Sequence, residues 1–203
     1  MRSADSGDSS AVSRRRLLAL SGGTVLAAVT TTVATAPRAS AAQHLWRWCF
    51  QCSGLWFSGN SNSGYCPVGS GVFGWDHPHR SAGSGDYVLR FHEDPGVGET
   101  NWDWCSTCAA LWSVGWSVGG PAVNKCPNSR WLNGGHDSSG SGIYKIEALP
   151  GLTNGPGGQA QWFVCRKCAG LFFAGNGPTG VCPAGGGHDH RSGVGAEYVL
   201  RQL

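Results

Sequence analysis

The sequence predicts an all-β protein built from three tandem, hairpin-rich repeats. Three observations carry that expectation. One phrase recurs, as "WRWCFQCSGLWFSGN" from Trp46, "WDWCSTCAALWSVGW" from Trp102 and "WFVCRKCAGLFFAGN" from Trp162. The apolar runs are short, rich in Trp, Phe, Tyr and Val, and bounded by Gly, Asn, Pro or Ser, which is a strand pattern. No stretch after residue 41 keeps a helical period over three turns.

Residues 1–41 stand apart from the repeats. Arg14, Arg15 and Arg16 precede a weakly apolar, uncharged stretch, then Pro37, Arg38 and the small-residue ending Ala39-Ser40-Ala41. That order reads as a cleavable export signal, too rich in Thr, Ser and Gly for a spanning helix. The arginines followed by Leu17 and Leu18 resemble a twin-arginine signal. An ordinary secretory signal with a basic start is the other reading. Both predict a secreted protein with no membrane anchor after cleavage. The leader holds five of the 15 basic and two of the 12 acidic side chains, so residues 42–203 carry ten of each. A neutral chain offers no basic face, and nucleic acid is not an expected partner.

The repeats span 46–90, 102–146 and 162–201. Each reads W-x-x-C-x-x-C-x-x-L, an aromatic, a glycine-rich loop, a Cys-Pro, a His, and a Gly-Ser-rich turn ending in Tyr. Trp46 and Trp48 alternate with Arg47, as Trp102 and Trp104 do with Asp103, giving one aromatic face per opening strand. "GNSNSG", "GNGPTG" and "GSGD" supply turn residues. The phrases "DYVLR", "IYKIE" and "EYVLR" close the units. About four short strands fit each unit. The stretches 91–101 and 147–161, with their Gly and Pro, read as linkers.

All ten Trp lie beyond residue 41. Aliphatics are few, so Trp and Phe must supply much of the core, at roughly 150–250 Å² each. Trp75, Trp116 and Trp131, which do not recur, are candidates for exposed contacts. The short linkers favour one compact, pseudo-threefold domain like a β-trefoil. There Leu55, Leu111 and Leu171 would face a shared core, with Tyr87, Tyr144 and Tyr198 packed about the same axis. Three zinc-ribbon-like beads are the alternative.

Each unit carries three cysteines and a following histidine. The sets are Cys49, Cys52, Cys66 and His77; Cys105, Cys108, Cys126 and His136; Cys165, Cys168, Cys182 and His188. Three thiols cannot all pair within one unit, and nine cannot all pair within one chain. Three thiolates and an imidazole make a complete tetrahedral shell for Zn²⁺, so three structural zinc ions are expected. A Cys-x-x-Cys disulfide in each unit, with the third cysteine free or linked to another unit, stays open. A redox couple fits poorly, because no helix follows the Cys-x-x-Cys to lower a thiol pKa. In units one and three a second histidine, His79 or His190, follows the first by two positions. The shared "GGHD" around His136 and His188 selects the first of each pair. Counting back from the closing Tyr selects His79, His136 and His190 instead. Asp137 and Asp189 adjoin the histidines and could accept hydrogen bonds from them.

The ordered Cys, Cys-Pro, His and Tyr resemble zinc-ribbon knuckles. More narrowly they are similar to Trp/Cys/Gly repeats of secreted actinobacterial proteins reading W-x-x-C-x-x-C-x-x-L and C-P-x-G-G-x-H. The resemblance implies an architecture and an extracellular setting. A twin-arginine route, which carries folded proteins, implies loading of metal before export. There is no G-x-S-x-G, no H-E-x-x-H and no paired-carboxylate context, and a four-ligand zinc has no place for water. The expected function is a non-catalytic binding module for an extracellular glycan or cell-wall polymer. The alternatives are a protein ligand or structural role, and, less favoured, a secreted hydrolase.

Overall fold

The computed structural model describes residues 42–61, 63–69, 77–115, 124–128, 134–149, 158–190 and 196–203. The export signal expected over 1–41, and Trp75, Trp116 and Trp131, lie outside the described residues. Nine strands follow in order: β1 Gln43–Trp48, β2 Leu55–Phe57, β3 Tyr87–Phe91, β4 Glu99–Trp104, β5 Leu111–Ser113, β6 Ile143–Leu149, β7 Gly158–Val164, β8 Leu171–Phe173 and β9 Glu197–Gln202. They fall into three equivalent triplets, so each unit has three strands among the described residues where four were expected.

Within a unit the opening strand pairs antiparallel with both others. β1 pairs with β2 through Trp46↔Phe57 and with β3 through Trp46↔Tyr87. β4 and β7 repeat this with their own partners. The closing strands then join the units in a triangle. The end of β3 pairs with the start of β6 through Arg90↔Lys145. The end of β6 pairs with the start of β9 through Glu147↔Val199. The end of β9 returns to the start of β3 through Val88↔Arg201. This nearly closed, barrel-like sheet is the pseudo-threefold architecture expected, and separate beads are excluded. The linkers need correction, since β3, β4, β6 and β7 all run into them. Phe91 and residues 147–149 continue the ladders that tie the units together, while 99–101 and 158–161 begin the next unit's opening strand.

Each opening strand carries a bulge just before its tryptophan. Leu45, Asn101 and Gln161 have φ of 70, 71 and 68°, and the register shifts across Gln43/Trp46, Glu99/Trp102 and Gln159/Trp162. The extra residue lets the third residue before each Trp turn to the same core face as the Trp. Tyr144 donates to Gln43 Oε1 at 2.6 Å, Tyr198 to Glu99 Oε2 at 2.7 Å, and Tyr87 to Gln159 Oε1. Each tyrosine thereby reaches a neighbouring unit. Its ring meets that unit's Trp edge-on, as Tyr144 does Trp46 at 5.1 Å, Tyr198 Trp102 at 5.0 Å and Tyr87 Trp162 at 5.2 Å. Such pairs add roughly 0.5–1.5 kcal/mol each beyond their buried area.

Leu55, Leu111 and Leu171 are buried beside these rings, together with Leu89, Ile146 and Leu200 from the closing strands. The shared core is therefore as expected. It is one core contributed equally by three units, none of which could assemble it alone.

Candidate metal centre

Each Cys-x-x-Cys forms a tight turn between the opening and middle strands. Cys49 N–H donates to Gly54 O and Ser53 N–H to Cys49 O; Cys105 with Ala109 and Ala110, and Cys165 with Ala169 and Gly170, repeat this. The residue after the second cysteine closes the turn in the left-handed region, with φ of 61° at Ser53, 62° at Ala109 and 60° at Ala169. That conformation costs a side-chain-bearing residue roughly 1–2 kcal/mol. It aims a carbonyl at the adjoining unit. Phe173 N–H donates to Ser53 O, Phe57 N–H to Ala109 O and Ser113 N–H to Ala169 O, all at 2.9 Å. The three turns thus form a ring about the pseudo-threefold axis, and their cysteines point into three separate clusters.

The clusters are Cys49, Cys52, Cys66 with His79; Cys105, Cys108, Cys126 with His136; and Cys165, Cys168, Cys182 with His188. In each, one ligand atom from every residue lies within 4.8 Å of the others, and such a group could hold a metal ion. First-to-third sulfur distances are 3.9, 3.9 and 3.8 Å. Histidine Nδ1 stands 3.6, 3.3 and 3.5 Å from the second cysteine's sulfur. None of the nine cysteines is in a disulfide, and these spacings are nearly twice the ~2.05 Å of an S–S bond.

Eleven of the twelve residues singled out from the sequence meet in these clusters. The exception is His77, which is exposed and outside the first cluster. His79, buried to 5% exposure, takes its place. Backbone pairing makes the choice. In every unit the residue after the first cysteine donates to the carbonyl of the residue after the histidine: Phe50 to Arg80, Ser106 to Asp137, Arg166 to Asp189. The histidine before that carbonyl swings inward, and in unit one this is His79. His77 instead accepts from Cys66 N–H through its own carbonyl. His190 stacks on Phe163 with ring centres 4.3 Å apart.

The same pairing brings a backbone donor to each first sulfur. Arg80, Asp137 and Asp189 N–H point at Cys49, Cys105 and Cys165 Sγ over 3.5, 3.4 and 3.5 Å. The aspartates act through these amides. Asp137's carboxylate accepts from Ser106 and Ser139, and those hydroxyls lower its pKa. Thr107 escaped the sequence reading, yet its hydroxyl lies 3.1 and 3.2 Å from the Cys105 and Cys126 sulfurs. Its position, second inside a Cys-x-x-Cys, is the only signal that could have found it. An aromatic ring backs each histidine: Trp56 on His79 at 5.3 Å, Trp112 on His136 at 5.4 Å, Phe172 on His188 at 4.7 Å.

Within each cluster the side chains shift one another's protonation. Cys49, Cys105 and Cys165 are held far below the usual thiol range by hydrogen bonds from their second and then third cysteines. The proton they lose is kept by the partners. Cys66 rises to about 12 and Cys182 to about 11, each chiefly through its bond to the first cysteine. Burial lowers His136's proton affinity, but bonds to the Cys105 and Cys126 sulfurs outweigh it and raise the pKa to about 9. A bound cation would take the place of these shared protons.

Compared with known proteins, the chain matches no family model, no curated protein and no solved structure.

Proposed function

We propose that the protein is a secreted, non-catalytic binding module locked by three structural zinc ions. The observation that carries the zinc reading is the cluster geometry. A tetrahedral zinc with sulfur at about 2.3 Å and nitrogen at about 2.05 Å has edges of about 3.8 Å between sulfurs and about 3.6 Å between sulfur and nitrogen. The clusters' spacings of 3.8–3.9 and 3.3–3.6 Å fit both edges. Three thiolates and an imidazole also suit a borderline-soft ion better than a hard one. Four protein ligands leave no coordination position for water, so each ion would serve the fold. Elemental analysis and a thiol count test this. Three zinc per chain, with nine thiols exposed by chelator, is the expected result. Metal-free protein with at most one free thiol would defeat it.

The ligand we favour is an extracellular glycan or cell-wall polymer. Support comes from three rigid, similar units and from Trp75, Trp116 and Trp131, which fall outside the recurring pattern and suit stacking on sugar rings. The export signal read over 1–41 and the similarity to secreted actinobacterial repeats support the compartment. A polysaccharide pull-down with the zinc-loaded protein should retain it, and alanine at the three tryptophans should release it. Retention unchanged by those substitutions would exclude this surface. Capture by proteins and by no polysaccharide would favour the protein-ligand reading.

A further inference from the structure

We propose that the three metal sites are coupled in a fixed order, unit three to unit one to unit two, by histidines that each reach into a neighbouring site. The coupling rests on the zinc reading above. His79 turns Nδ1 to its own cluster and Nε2 to the carbonyl of Cys108, a ligand position in unit two, at 3.1 Å. His188 likewise meets the carbonyl of Cys52 in unit one at 3.0 Å. His136 breaks the pattern. Its Nε2 is buried and has no hydrogen-bond partner among the described residues.

The break has a visible cause two residues before each third cysteine. Gly64 and Gly180 stand there in units one and three, with φ of +62 and +67°. Each presses so close to the neighbour that an added Cβ would lie 2.1 Å from Cys108 O or 2.2 Å from Cys52 O. Unit two has Asn124 at this position. A residue with a Cβ cannot make that approach, and its Oδ1 accepts from His136 N–H at 3.0 Å instead. Two links close tightly on glycine. The third stands open.

The chemistry gives the links their effect. A metal on Nδ1 leaves the proton on Nε2, making that nitrogen a donor to the neighbour's carbonyl. Without metal nothing pins that tautomer, and a proton moved to Nδ1 would set a lone pair against the carbonyl oxygen. Metal in unit one therefore secures the Cys-x-x-Cys turn of unit two, and metal in unit two orients His79 for unit one. Such coupling is reciprocal.

The test compares three single substitutions, His79→Cys, His188→Cys and His136→Cys, in the full three-zinc protein. Each keeps a four-thiolate site while removing the imidazole. Native mass spectrometry during chelator titration reads the one- and two-zinc species. In the wild type these should be scarce. His79→Cys and His188→Cys should enrich them, reflecting neighbour affinities lowered by roughly 10–100-fold, the usual cost of losing a hydrogen-bonded ligand partner. His136→Cys should match the wild type. Equal behaviour of all three would overturn the coupling while leaving the zinc reading intact, and a protein without metal would overturn both. Should a variant fail to fold, imidazole NMR of the wild-type zinc protein decides: slow exchange of the His79 and His188 Nε2 protons with fast exchange at His136 supports the links, and three alike refute them.

Discussion

The same three repeats are held together by different means at the two ends of the molecule. At the barrel end, Trp, Tyr and Leu from each unit share one core, and contacts such as Trp46 on Tyr144 tolerate small adjustments. At the metal end the units meet through single, directional hydrogen bonds between ligand residues, such as His79 Nε2 with Cys108 O. Threefold likeness survives almost intact in the barrel. In the loop ring it fails where Asn124 replaces a glycine. Packing averages over many weak contacts, whereas a single donor facing a carbonyl is either in reach or not.

The largest effect should come from removing metal, and it should reach both ends. Structural zinc contributes about 10–16 kcal/mol of apparent binding energy per site, against about 5–15 kcal/mol for the net stability of a whole domain. Chelation should therefore unfold the barrel too, seen as loss of near-ultraviolet tryptophan dichroism. Survival of that signal would show the core to be self-sufficient. Next in size, Leu111→Ala should cost about 2–5 kcal/mol by opening a cavity in the shared core. Metal content should stay at three per chain, and loss of an ion would mean that the ends are not separable.

Alkali should reach the barrel end through its tyrosines. Burial raises Tyr87 and Tyr144 to about 12, and burial followed by the Glu99 carboxylate raises Tyr198 as well. The folded state favours the neutral phenol, so this stability is complete below the unfolded pKa of about 10. It is lost as pH rises through about 12. Glu99→Gln copies the Gln43 and Gln159 of the other units and should bring Tyr198's titration down toward theirs, as followed by phenolate absorbance. An unchanged Tyr198 would deny the carboxylate's influence.

The smallest effect is expected at Trp56. Its indole N–H is buried without a partner among the described residues, and Phe172 fills the same place beside His188. Trp56→Phe keeps a ring on His79 and removes an unmet donor, so melting should shift by less than about 1 kcal/mol. A loss of several kcal/mol would reveal a hydrogen bond that the geometry does not include.

The repeat, the nine cysteines and the inward leucines were legible because each follows from spacing that recurs three times. The choice of His79 was not. Tyr87 and Tyr144 follow their cluster histidines by eight positions and Tyr198 follows His188 by ten, so neither sequence register serves all three units. What fixes the histidine is the meeting of Phe50 with Arg80 across the loop, a pairing that spacing alone does not encode. The bulges at Leu45, Asn101 and Gln161 were hidden for a related reason. Asn tolerates left-handed backbone but Leu and Gln do not favour it, and the surrounding ladders impose it in all three units. Glycine and proline made 91–101 and 147–161 look like free connections, yet strands enter both stretches from either end.

The triangle of closing strands also sets a timetable for folding. β3 is made early, but its partners at Tyr87 and Val88 are Gln202 and Arg201, 115 and 113 positions further along the chain. Until β9 arrives, one edge of β3 offers unmet backbone groups to any passing strand. Ordering so long a loop comes before any reward from the contacts it permits, which makes barrel closure the slow event. The clusters are more local, spanning 31, 32 and 24 residues, and can capture an ion long before that. A metal taken up early would shorten the wait by fixing three turns in advance, leaving the last strand to find a nearly finished gap.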